Sequence, residues 1–216
     1  MSQRLSREAL VLDGRAYASQ RPARRAAMIA LRRDRRVPLG DQLSLEFENA
    51  QTLQYQVQEM LYVEFTGQAA PSEAEVSEEL AAYSRLLPGS HELCATLLIE
   101  LEDPATVRDD LARLAGVHHA LSIDVGPHTV RGVELPGRDE PTDRELPTVS
   151  VHTVRFRFDD AARDAFRDPS VPARVVVDHP QYAADAQLTG VTRMSLLADL
   201  TLVSGEPSQA TTENQV

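Results

Sequence analysis

The sequence predicts an α+β protein in which a helical N-terminal half packs on a mainly antiparallel sheet from the C-terminal half. Three observations point there. Apolar residues recur at helical spacing through 50 to 65 and again through 73 to 87. They alternate with polar residues through 42 to 47 and 148 to 158, the period of a strand with one buried face. Two short apolar stretches, about 119 to 125 and 129 to 135, flank Gly126-Pro127 as the arms of a hairpin would.

Taken in order, Pro22 suits the first turn of a basic helix over about 22 to 36, which Pro38 and Gly40 would stop. A strand follows with Leu43, Leu45 and Phe47 on one face. Asn49 is a plausible N-cap for the helix of 50 to 65, whose apolar stripe is Leu53, Val57, Met60 and Leu61. Ser72-Glu73-Ala74-Glu75 is a capping box opening the helix of 73 to 87. His91 to Leu101, apolar on both faces, reads as a central strand. Asp103-Pro104 then starts a helix of about 104 to 115 that stops at Gly116. After the hairpin comes a polar loop, 136 to 147, and the long strand of 148 to 158. A short helix after Asp159 or Asp160, a strand at 174 to 178 and a final helix within 188 to 203 complete the pattern. One domain is expected over 1–203, with a helical subregion 1–90 and a β-rich subregion 91–203. The polar tail 204–216 is expected to be disordered.

Composition narrows the function classes. A chain of 216 residues, 42% hydrophobic and 25% charged, has ordinary globular proportions and needs no staple. The lone Cys94 has no disulfide partner, and no stretch approaches the ~18 apolar residues of a spanning helix. A soluble, cytoplasmic protein in a reducing compartment is expected, with no membrane role. All 22 basic residues are arginine, and ten of them lie in residues 1 to 36 against Glu8, Asp13 and Asp34. The net charge of −11 therefore combines a basic arm with an acidic body. Self-pairing of the two explains the pattern better than nucleic acid, which the body would repel.

Candidate chemistry is sparse. Projected at 100° per residue, the helix from Ala50 gathers Glu48, Gln56, Glu59 and Tyr62 on one polar face opposite the apolar stripe. These four residues are ligand-binding candidates. Glu64 joins them for a different reason: it projects into the apolar stripe, so it is expected to be buried against an arginine. His152, Asp178 and His179 are secondary candidates, the last two placed for acid–base work at the end of an apolar strand. No histidine pair has a zincin or di-iron spacing, and adjacent His118 and His119 would point to opposite faces of a strand, so no metal site is assigned. A nucleophile elbow, a Walker loop and a dinucleotide glycine motif are all absent.

Phe47-Glu48-Asn49, Gln56-Val57-Gln58-Glu59-Met60-Leu61 with Glu64, Glu79-Leu80 with Tyr83 and Leu87-Pro88, and Ala95-Thr96-Leu97 with Ile99-Glu100 together resemble domain-of-unknown-function family 3501. The likeness continues to Val151-His152 and Phe156 and covers roughly residues 5 to 200. Tyr62, where members often carry Arg, is a departure, as is the use of Arg alone in the basic helix. The resemblance implies a bacterial protein whose gene neighbours those of rubrerythrin-like and iron–sulfur oxidoreductase-like proteins. It implies no activity, cofactor or catalytic residue.

Two readings follow. The first is an accessory or interaction protein with a redox or iron–sulfur protein partner. The second is a small-molecule or metal-dependent enzyme, or a ligand-binding protein, using the Glu48/Gln56/Glu59 face. Homo-oligomers are compatible with both.

Overall fold

A computed structural model describes residues 4–135 and 148–201. The loop expected at 136 to 147 and the tail expected at 204–216 lie outside the described residues. Six helices are seen in that range: α1 (Gly14–Arg33), α2 (Ala50–Glu64), α3 (Glu73–Ser84), α4 (Val107–Arg113), α5 (Asp160–Arg167) and α6 (Gly190–Leu200). The strands are β1 (Arg36–Leu39), β2 (Leu43–Glu48), β3 (Glu92–Ile99), β4 (Leu121–Val125), β5 (His128–Leu135), β6 (Val151–Arg157), β7 (Ala173–His179) and β8 (Tyr182–Gln187).

The strands form one antiparallel sheet in the order β1-β2-β3-β6-β5-β4-β7-β8, curled until its two edges nearly meet. Tyr182, at the start of β8, closes the seam: its hydroxyl donates to the Leu39 carbonyl at 2.7 Å and lies 3.1 Å from the Gln42 N–H. Gly40 makes this possible, because its φ is +70° and a Cβ there would stand 2.3 Å from the Tyr182 oxygen. Inside the curl, alternate residues of every strand fill a dry core that includes Leu45, Phe47, Leu97, Ile123, Val154, Phe156 and Val175. The Phe47 and Phe156 rings meet with centroids 6.3 Å apart.

A second, smaller core of Leu5, Leu53, Val57, Leu61 and Val76 lies under the helical layer. Its helices begin as their caps dictate. Asn49 accepts from the Gln51 and Thr52 N–H groups, and Ser72 with Glu75 forms both bonds of the expected capping box.

The α+β class with an antiparallel sheet holds, and the division into halves holds only in part. The first 90 residues supply β1 and β2 as well as helices, and the C-terminal part supplies α4, α5 and α6. The basic helix starts at Gly14, capped by Asp13, and runs through Pro22; with six arginines, no acid and only Tyr17 buried, it has too weak a stripe to show its first two turns. β1 occupies Arg36–Leu39, where a helix end and stop were expected, and β8 alternates half-buried with exposed residues too small to give a clear pattern.

Two buried arginines tie helices to the sheet. Arg35 donates through Nε to the Phe47 carbonyl at 2.8 Å and through Nη1 to Ser195 Oγ at 2.8 Å, and it pairs with Asp199 of α6. Arg193 caps the end of α5, donating to the carbonyls of Phe166 at 2.9 Å, Asp168 at 2.8 Å and Val171 at 2.7 Å while lying over the Phe166 ring.

Candidate functional site

The end of the sheet where β5 finishes and β6 begins gathers three side chains that sequence spacing keeps apart. Glu134 pairs with Val154 across the β5–β6 ladder, so it faces inward with Val154 and His152. His118 reaches the same point from a 3-10 turn, Val117–Ala120, that leads into β4. Gly132 lets the layers approach: a Cβ there would lie 2.6 Å from Val154 Cγ1 and 3.2 Å from the Leu121 carbonyl.

The three residues are in direct contact. His118 Nε2 is 3.1 Å from Glu134 Oε2, and His152 Nδ1 is 2.8 Å from Glu134 Oε1. The two imidazoles stack, with centroids 4.1 Å apart and planes 16° from parallel. Both histidines are buried, while Glu134 is half-buried. One ligand atom from each lies within 4.8 Å of the others.

Hydrogen-bond bookkeeping fixes the charge this cluster requires. His152 Nε2 lies 3.0 Å from the Val149 carbonyl, which only accepts, so Nε2 carries the hydrogen, with Thr148 Oγ1 also near at 3.1 Å. Nδ1 of a neutral His152 then turns a lone pair toward a carboxylate oxygen 2.8 Å away. Two acceptors at that distance need a positive charge between them, either a proton or a metal ion. His118 is held neutral on its own account: burial first, then neighbouring His152, push its pKa down to about 4 against the pull of Glu134. Its Nδ1 is buried without a hydrogen-bond partner among the described residues.

The residues singled out from sequence are distributed differently. Glu48 is buried, and its Oε1 accepts from Gln56 Nε2 at 2.8 Å and Thr96 Oγ1 at 2.9 Å. Glu59 accepts from the Tyr17 hydroxyl at 2.6 Å and from Arg21 Nη2 at 2.7 Å, while Arg21 lies over the Tyr62 ring. The Arg21 guanidinium holds the Glu59 carboxyl below the usual range, and burial with Glu59 pushes the Tyr17 phenol up. This face of α2 is a clamp on α1.

Glu64 corrects the expectation of burial, because it is exposed at the last position of α2. The buried stripe of α2 is Leu53, Val57 and Leu61, widened on the side of Gln54 and Gln58 rather than of Met60 and Glu64. The reason is the N-terminal segment. Gln54 accepts from the Ser6 N–H at 2.8 Å and donates to its carbonyl at 3.0 Å, and Gln58 does the same for Val11 at 2.7 and 3.1 Å. The buried arginine–carboxylate pair expected for Glu64 is made by Arg35 and Asp199.

Of the secondary candidates, His152 enters the cluster. His179 instead donates Nε2–H to the Ala115 carbonyl at 3.1 Å and accepts from the Gln181 N–H, and Asp178 is exposed beside it. His118 and His119 lie in a 3-10 turn with rings 3.9 Å apart, not on opposite faces of a strand, and His118 is the one that joins His152. Glu134 was missed; its one sequence signal is the alternation Val130, Gly132, Glu134 along β5. Cys94 is fully buried and its thiol is pushed up to about 12, so it offers no thiolate. No helix among the described residues is long and apolar enough to cross a membrane.

Comparison with curated proteins finds no match. Among solved structures, this chain is similar to a novel protein of unknown function from Burkholderia pseudomallei K96243, with 32% identity and a TM-score of 0.79 over 91% of this chain and 98% of that one. The family described as Protein of unknown function (DUF3501) matches residues 4–200, so the resemblance read from the motifs holds and the chain belongs to that family.

Proposed function

We propose that this protein binds one divalent transition-metal ion through His118, Glu134 and His152. The observation that carries the reading is the convergence of His118 Nε2 and His152 Nδ1 on the two Glu134 oxygens, at 3.1 and 2.8 Å, where a neutral His152 that gives Nε2–H to Val149 turns its lone pair to the carboxylate. Two imidazoles and a carboxylate are a donor set suited to zinc and its first-row neighbours, and a ligating histidine commonly donates its other N–H to a backbone carbonyl, as His152 does. Tetrahedral metal bonds of about 2.0–2.1 Å set ligand atoms roughly 3.3 Å apart, so the 2.8 Å His152–Glu134 contact would open by about half an ångström to admit the ion and the rings would tilt out of their stack. Three protein ligands leave a further coordination position for water or another small donor.

The enzyme reading centred on Glu48, Gln56 and Glu59 loses support, because those groups are already paired within the protein. The accessory role beside a redox or iron–sulfur protein rests on the family resemblance, and a metal-binding protein is compatible with it.

Titration of chelator-treated protein with zinc in a calorimeter tests the reading. One site per chain is expected, weakened by at least about tenfold in His118→Ala and in His152→Ala, and unchanged in His179→Ala. Absence of saturable binding, or equal affinity in the double variant of His118 and His152, would overturn it.

A further inference from the structure

We propose that the groove between the N-terminal segment, α1 and α2 is a binding site for a small anionic amphiphile, a carboxylate carrying one acyl chain. This groove is remote in the fold from the histidine cluster, and the inference does not depend on metal binding. Its volume is about 590 Å³, within the range of small-ligand sites. Met28, Leu31 and Ala50 supply apolar wall, Tyr55 adds a ring, and Arg4 and Arg24 stand among them. Along α1 the lining residues run from Arg24 to Leu31, about 10 Å of helix at 1.5 Å per residue, so the trough has the length of a medium acyl chain.

Three features select the ligand class. The lining contains no carboxylate, although the chain has 33 acidic residues against 22 arginines and a net charge of −11. Two of the three side-chain amides that border the groove are already committed, Gln54 to Ser6 and Gln58 to Val11, and the third, Gln51, is exposed, so the trough itself does not require a polar ligand. The cations are available: Arg24 gives Nε–H to Gln20 at 3.2 Å and lies over the Tyr17 ring, Arg4 feels Glu8 only at longer range, and neither makes an ion pair among the described residues. Apolar walls take the chain, and the arginines take the anionic head by charge-assisted hydrogen bonds. A cation of the same length would meet two like charges and lose this contact.

Calorimetric titration of the full chain with decanoate, below its micelle concentration, tests the proposal, with decyltrimethylammonium as the cationic counterpart. Saturable one-site binding of decanoate is expected, and none of the cation. Met28→Asp, which places a carboxylate in the half-buried trough, and Arg24→Glu, which reverses the head contact, should each weaken decanoate by at least about tenfold. Circular dichroism of both variants reports whether the fold is kept, and Arg4→Glu supplies a fully surface-exposed second test of the head contact. Failure of decanoate to bind, preference for the cation, or equal binding by all three folded variants would overturn the proposal. So would a dimer in light scattering that Met28→Asp dissociates, since a second copy would then cover the groove.

Discussion

The helical layer and the barrel end use polar side chains in opposite ways. In the layer, the buried and half-buried polar groups of α2 meet matched partners: Gln54 and Gln58 each pair with both backbone groups of one residue, Gln56 donates to Glu48, and Glu59 joins Tyr17 and Arg21. At the barrel end, one half-buried carboxylate serves two stacked imidazoles, and the His118 ring keeps a buried nitrogen without a partner among the described residues. Matched donors and acceptors build structure, whereas converging imidazole and carboxylate groups with a nitrogen left over have the donor set of a ligand site. The contrast is the basis for reading the α2 face as holding α1 in place and for proposing the histidine cluster as the binding site.

Stability measurements can break that assignment. The largest loss is expected from Arg35→Ala, which leaves Asp199 buried and unpaired and should cost about 3–5 kcal/mol in urea melts. Glu59→Ala, removing a shared acceptor from Tyr17 and Arg21, should cost about 1–3 kcal/mol, since hydrogen bonds to charged groups are the stronger kind. Glu64→Ala should stay within about 0.5 kcal/mol, as for other surface changes. A severe Glu64→Ala and a neutral Glu59→Ala would invert the two faces of α2.

Acid sharpens the same comparison. Because Arg21 lowers the Glu59 carboxyl below its unfolded value, the stabilisation is complete above the ordinary carboxylate range and is lost as pH falls through the lowered value. The gap in melting temperature between the wild type and Glu59→Gln should therefore be widest near neutrality and close in acid. A gap that widened in acid would contradict the clamp.

What the sequence revealed depended on local signals. The α2 and α3 starts are written in Asn49 and in the Ser72–Glu75 box, and β3 in an apolar run buried between β2 and β6. Elements held by distant contacts were harder to see. β1 is defined by its ladder to β2, and β8 by its ladder to β7 and by Tyr182 across the seam. The direction of α2's buried face was missed for a related reason: the segment that covers Gln54 and Gln58 lies 48 and 47 residues away in the chain, respectively. The metal candidates obey the same rule. His118, Glu134 and His152 come from a 3-10 turn and two strands, with no fixed spacing to read: the ladder that sets Glu134 opposite Val154 brings it beside His152, and the turn before β4 brings His118.

Cobalt(II) binding followed by visible absorption tests the central claim most directly, because thiol-free nitrogen and oxygen coordination has its own d–d bands. Wild-type protein should develop those bands to an end point of one cobalt per chain, zinc should erase them, and Glu134→Gln should diminish them strongly while leaving the melting temperature near that of the wild type. Bands that are absent from the wild type, or that persist unchanged in Glu134→Gln, would contradict a metal centre at this end of the barrel.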